Sequence, residues 1–342
     1  MQPSAIGQAP SCVVAMARIV RVGELIHNAN LSGESARGSH AGNCRRLLIR
    51  FLDRIRRIHL YLSQRVLGTT LFFRIGLPMN DNSLHALKER FFRPEFPRSS
   101  GYDPHWLMAN AMGPHVLWLA EWLSQGLELT PGMRVLDLGC GKALSSIFLA
   151  KEFGVTVWAA DHWIKPNENR ERIEQAGFSA SVFPISVEAH ALPFSERSFD
   201  AIVSFDAYHY FGTDDLYLGY ISSFLKLGGR LGIVVPGTRE ELAVIPPPQL
   251  ARYWVWDFCS FHSPGWWRRH WEKTALLEVE TADTLTDGWK RWLEWNELCA
   301  QFGQQNLAHL ALREAEMLRV DDGRTFGFTR LIAKRPMSIP VT

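Results

Sequence analysis

The sequence is poor in several features that would each point to a function. Its 342 residues hold five cysteines, Cys12, Cys44, Cys140, Cys259 and Cys299, and no two stand at Cys-x-x-Cys spacing. That spacing argues against a zinc ribbon, and an odd, scattered set suits a reducing compartment better than a disulfide framework. A cytoplasmic location is therefore the expectation. No run of about 18 apolar residues occurs, so no membrane-spanning helix is expected. The formal net charge is only +2, and such a total implies no nucleic-acid partner. No Ser-His-Asp grouping or metal-ligand cluster stands out, and no metal is expected.

What is present divides unevenly along the chain. Residues 1–100 carry 15 Lys and Arg against 6 Asp and Glu, whereas the remainder carries 22 against 29, and all 13 tryptophans lie after residue 100. Residues 1–43 are rich in Gly, Ser and Ala with little periodicity. Their one apolar patch, residues 13–16, is followed closely by Arg18 and Arg21, which is not the layout of a secretory signal. Between 44 and 75, arginines such as Arg46, Arg50, Arg54 and Arg57 alternate with Leu48, Leu52, Ile55 and Ile58, the pattern of a basic amphipathic helix. Three readings stay open for it: a membrane-surface helix at 44–65, a targeting segment, or an ancillary extension translated from a start upstream of Met79. The expected organisation is a basic, partly disordered or helical extension at 1–78 and one domain at 79–342.

From Asp103 onward the pattern is stronger. Leu107, Ala111, Val116, Leu119 and Leu123 space out as an amphipathic helix, with Gly113-Pro114 as a break inside it. Residues 134–138 form a short apolar strand ending in Gly139-Cys140-Gly141; residues 145–150 form a helix; residues 155–160 form a second strand ending in Asp161. This is the opening unit of a doubly wound α/β sheet. Glycines at the strand end let a ligand approach the backbone, and an acid at the end of the next strand can accept both hydroxyls of a ribose. Those features serve NAD and S-adenosylmethionine (SAM) alike. Two details favour SAM. Leu144 stands where the dinucleotide fingerprint has its third glycine. Asp137 precedes the turn, which is awkward for a pyrophosphate but suits an amino group and a sulfonium charge.

The run 135–141, Val-Leu-Asp-Leu-Gly-Cys-Gly, resembles motif I of the class I SAM-dependent methyltransferases. Further family motifs follow in order: 183–185 resembles the third strand, Glu188-Ala189 stands where the family has an Asp-Ala pair beside the adenine, 199–204 resembles the fourth strand, and 225–229 resembles the Leu-Lys-Pro-Gly-Gly turn before a fifth strand at 230–235. Ala143 and Leu227 depart from the family's glycine and proline. The resemblance implies an α/β fold with a doubly wound, mostly parallel seven-stranded Rossmann-like sheet, an antiparallel last strand and a helical insert. It implies a transferase with SAM as cofactor. The candidate cofactor residues are Asp137, Gly139, Gly141, Lys142, Asp161, His162, Glu188, Ala189 and Asp206. Lys142 has two readings, a partner for the methionine carboxylate or a solvent-facing helix lysine. Trp163 flanks the adenine beside His162 in this reading. His209 and Tyr208, after the fourth strand, are weak catalytic candidates: His209 as a base working near neutrality or a structural histidine, Tyr208 as a lining of the acceptor pocket.

Beyond Pro236 the chain is rich in tryptophan, in two expected acceptor-covering segments at 238–271 and 285–320. Tyr253, Trp254, Trp256, Phe258 and Phe261 form one cluster, either core or an aromatic cage for a cationic acceptor. Ser263-Pro264 reads as a helix start, residues 277–281 as a strand, the tryptophans at 289, 292 and 295 as a helix running to about Leu318, and 326–333 as the last strand. The expected function is methyl transfer from SAM to a small-molecule N, O or S nucleophile by in-line displacement. Two alternatives are a lipid modification like that of cyclopropane fatty-acid synthases, and SAM binding without turnover.

Overall fold

The structure, a computed structural model, describes residues 87–303 and 305–337. The expected basic extension at 1–78, with the helix expected at 44–65, lies outside the described residues. Among those described, no helix is long and apolar enough to cross a membrane.

Seven strands form one sheet in the order β3-β2-β1-β4-β5-β7-β6. They are β1 Arg134–Leu138, β2 Thr156–Asp161, β3 Val182–Ser186, β4 Phe199–Phe205, β5 Leu225–Thr238, β6 Glu278–Thr284 and β7 Phe326–Lys334. The first five pair in parallel, and β7 lies antiparallel between β5 and β6. The doubly wound fold with an antiparallel last strand is as the sequence implied. Central strands must be covered on both faces. In β1, Val135 joins one apolar layer, while Leu136 and Leu138 join the other. On the first side sit α2 (Val116–Ser124), which follows α1 (Pro104–Asn110), and α3 (Leu144–Phe153). On the second, Trp267 and Trp271 of the helix Pro264–Glu272 are fully buried. That helix begins at Ser263, whose Oγ accepts the Trp266 N–H at 3.2 Å, as the Ser-Pro pair predicts.

The pattern from 107 to 123 is two helices, Pro104–Asn110 and Val116–Ser124, parted around Gly113-Pro114, where the sequence offers a break. One helix differs from expectation. The stretch from 289 to 318 is not one helix but Gly288–Phe302 followed by Gln305–Asp321. Gly303 ends the first with an extended backbone (ψ 171°), where a Cβ would lie 2.4 Å from the Cys299 carbonyl oxygen. Only glycine closes that corner.

The aromatic cluster is mostly packing. Tyr253 is buried, and Trp254 stacks on Phe326 at 6.3 Å between ring centroids. Trp256 is 56% exposed. Tyr253 and Trp254 therefore take the core reading, Trp254 because Phe326 of β7 takes up its ring. Trp254→Ala is expected to cost about 2–4 kcal/mol of stability, and Trp256→Ala under about 0.5 kcal/mol; urea unfolding of both variants checks the contrast.

Candidate functional site: the carboxyl edge of strands β1 and β4

In an open α/β sheet, ligands bind outside the carboxyl ends of strands where the strand order reverses. Here that point lies between β1 and β4. The chain leaves β1 through a turn with left-handed backbone at Gly139 (φ 76°), Gly141 (φ 53°) and Ala143 (φ 61°). The N–H groups of Gly139 and Cys140 donate to the Ala160 carbonyl at 2.8 and 3.1 Å, which ties the turn to β2. A Cβ on Gly139 would fall 2.4 Å from the Cβ of Ala207, just beyond β4. The turn after β1 and the turn after β4 therefore meet at the switch point, and glycine is required there. Ala143, the departure from the family pattern, has its methyl fully buried in the core, so it adds no bulk to an open cleft. Leu144 begins α3 and is also buried.

Two carboxylates frame this turn. Asp161 Oδ2 accepts the Gly141 N–H at 2.8 Å, and Oδ1 accepts the N–H groups of Trp163 and Ile164 at 2.7 and 2.9 Å. The acid that the sequence placed at the end of β2 thus holds the glycine turn. Asp137 is fully buried, and its Oδ2 accepts both Ser145 and Ser146 hydroxyls at 2.6 Å. Its Oδ1 is buried without a hydrogen-bond partner, an atom suited to a donor.

Burial pushes the Asp137 carboxyl up from 3.8 to about 6, against the lowering effect of the two serines, with the Asp161 charge adding to the rise. The folded protein therefore holds this proton more tightly than the unfolded chain. Stability is greatest below pH 4 for this group and falls as pH rises through 6, by on the order of 2–3 kcal/mol. Asp137→Asn is expected to remove that loss: the stability of wild type relative to the variant drops between pH 4 and pH 7.5. Urea unfolding at both values checks it, and a constant difference contradicts it.

The other predicted residues are placed less uniformly. Asp206 follows β4 with a left-handed backbone (φ 53°), and its carboxylate lies against Gly113. His162 is exposed beside Trp163, whose ring lies 6.5 Å from that of Tyr210. Ala189 accepts the Tyr217 hydroxyl on its carbonyl at 3.0 Å. Glu188 is turned onto His190, accepting its backbone N–H at 2.8 Å and facing its Nδ1 at 3.0 Å. Lys142 is half-buried and donates to the Ala109 carbonyl at 3.4 Å. It precedes α3, which corrects its reading as a solvent-facing helix lysine.

The catalytic candidates need correction. Tyr208 is fully buried among Tyr217, Trp267 and Trp271, and its hydroxyl has no partner. It lines no open pocket, because the helix after Ser263 fills that side with tryptophan. His209 is 1% exposed, between Tyr210 and Phe261, with Nδ1 unpartnered. Burial pulls its pKa down to about 3, so the expectation of a pKa near neutrality does not hold. Three residues that the sequence did not single out also touch this region. Asn169 donates to the Gly141 carbonyl at 2.9 Å, and Arg172 bridges Asn169 to Asn110. Their partners are 28 and 62 residues away, and no local pattern marks them.

Residues 135–229 match the methyltransferase domain family. The methyltransferase GfsG of Streptomyces halstedii is 30% identical over 131 residues, 36% of this chain and 46% of that protein. The 2-methyl-6-phytyl-1,4-hydroquinone methyltransferase of Synechocystis is 28% identical over 184 residues, 52% of this chain and 57% of that protein. The chain spans about half the length of these curated relatives. A geranyl diphosphate C-methyltransferase structure from Streptomyces coelicolor matches with a TM-score of 0.53 at 19% identity, covering 72% of this chain and 97% of that one. At that identity the likeness shows the fold.

Proposed function

We propose that this chain transfers a methyl group from SAM to a nitrogen, oxygen or sulfur nucleophile of a small molecule by in-line displacement, in the cytoplasm; the match of residues 135–229 to the methyltransferase domain family supports the reading. The observation that carries this reading is the turn at the switch point: Gly139 packed against Ala207, with Gly141 held by Asp161. The residues present fit the cofactor. Gly139 lets the turns after β1 and β4 close on each other without a side chain between them, and Asp137 offers a buried oxygen without a donor.

SAM, when bound, supplies a methyl group already activated by its sulfonium. The chain's part is to bind, align and exclude water. In this reading Gly139 and Gly141 give the cofactor its backbone bed, Asp161 takes the ribose hydroxyls, and Asp137 faces the amino group directly or through water. His162 and Ala189 flank the adenine, and Asp206, just beyond β4, completes the cofactor set. Glu188 reaches the adenine only by leaving His190. Lys142 meets the methionine carboxylate only by leaving Ala109. His209, neutral at ordinary pH, is not a base tuned to pH 7, and it meets an acceptor only where Phe261 moves aside. The acceptor roof is the segment carrying Phe258 and Phe261, which reaches His209 through Phe261 at 5.4 Å.

Labelled methyl transfer from SAM into a metabolite extract tests the reading. Label in a small molecule is the expected result. SAM bound without any label transferred leaves a binding protein without turnover and contradicts the proposal.

A further inference from the structure

Residues 109–113 run from the end of the helix Pro104–Asn110 into its link to Val116–Ser124, and Met112 lies against the glycine turn. A Cβ on Gly141 would meet the Met112 Sδ at 2.9 Å. Side chains hold this crossing at both ends. At one end Arg172 donates from Nε to Asn110 Oδ1 at 3.0 Å and from Nη1 to Asn169 Oδ1 at 2.7 Å. Asn169, 1% exposed, passes the contact on by donating from Nδ2 to the Gly141 carbonyl at 2.9 Å. At the other end the Gly113 carbonyl accepts the Trp295 Nε1–H at 2.8 Å.

The consequence falls on the Gly141 peptide. A glycine in a turn is free to rotate, and a cofactor bed that rotates pays for its ordering on binding. Here Asp161 holds the Gly141 N–H and Asn169 holds its carbonyl. The Asn169 amide can serve Gly141 only with its oxygen turned toward Arg172, so the guanidinium sets the amide's orientation. A planar fork can serve two amide oxygens at once, which a lysine ammonium on a flexible stem reproduces poorly.

We propose that Asn169 and Arg172 are positioning residues for the cofactor: they lock the Gly141 peptide and clamp residues 109–113 against the glycine turn as a wall of the cleft. The inference rests on the SAM reading above.

The test uses the full chain and its Arg172→Ala, Arg172→Lys and Asn169→Ala variants, with SAM affinity read by titration calorimetry. Each variant is expected to bind SAM roughly tenfold more weakly, the weight of one lost hydrogen bond to a charged or buried group. Guanidinium ion at tens of millimolar restores affinity to Arg172→Ala and not to Asn169→Ala. The melting temperature of Arg172→Ala without SAM shifts by less than about 4 °C. Amide exchange at 109–112 and at Gly141 quickens in the protein alone. Wild-type affinity in Arg172→Ala, a lost affinity that guanidinium does not restore, or unchanged exchange at 109–112 overturns the inference. Failure of the unaltered chain to bind SAM overturns the cofactor reading, whereas the exchange measurement still tests the clamp by itself.

Discussion

Asp161→Ala is expected to weaken SAM binding by a hundredfold or more. The carboxylate accepts three backbone N–H groups, from Gly141, Trp163 and Ile164. In the proposed complex it also accepts the ribose hydroxyls. Hydrogen bonds to a charged acceptor contribute about 1.5–3 kcal/mol each, so two ribose bonds alone correspond to about 3 kcal/mol or more, two decades in Kd. The loss has a second part, since the Gly141 N–H is released and Gly141 loses one of its two anchors. Titration calorimetry checks the affinity. Asp161→Asn keeps one acceptor oxygen and is expected to fall between wild type and alanine. Wild-type affinity in the alanine variant would remove Asp161 from the site.

Gly139→Val is expected to damage both binding and stability. The backbone at 139 has φ 76°, a region that β-branched residues enter only as outliers. The first carbon of any side chain would sit 2.4 Å from the Ala207 Cβ, so the turns after β1 and β4 must part. Backbone strain of about 1–2 kcal/mol and overpacking of about 1–3 kcal/mol together give a loss of roughly 2–5 kcal/mol. Separation of the two turns also opens the cleft, and SAM binding is expected to fall below detection while the chain remains folded at low temperature. Circular dichroism with calorimetry reads the two effects separately. A Gly139→Val chain that binds SAM normally contradicts the placement of the cofactor at this turn.

The parts of the molecule legible in sequence were those written in local pattern. Residues 134–161 carry an apolar strand, a glycine turn, a helix and a second strand closed by an acid, all within one unit, and the structure has each of them. Asp161 was legible as the acid that closes β2, whereas its hold on the Gly141 N–H was not. The losses came where a residue's surroundings are set by distant chain. Tyr208 stands at the right edge of the sheet, yet Trp267 and Trp271 bury it from some 60 residues on. His209 has the chemistry of a base, but its burial by Phe261 sets its pKa, and burial cannot be read from its neighbours in sequence. Asn169 and Arg172 belong to an otherwise polar helix, Pro166–Gln175, whose charge pattern looks like an ordinary solvated face. Gly303 is a single residue inside a helical periodicity, and only the close carbonyl of Cys299 makes it a break.

The central claim is that the cleft between β1 and β4 is a SAM site. Calorimetric titration of the full chain with SAM and, separately, with NADH tests it most directly. Saturable binding of SAM at one site per chain and none of NADH is the expected result, since Leu144 replaces the glycine that a pyrophosphate requires at the start of α3. Binding of NADH without binding of SAM would contradict it.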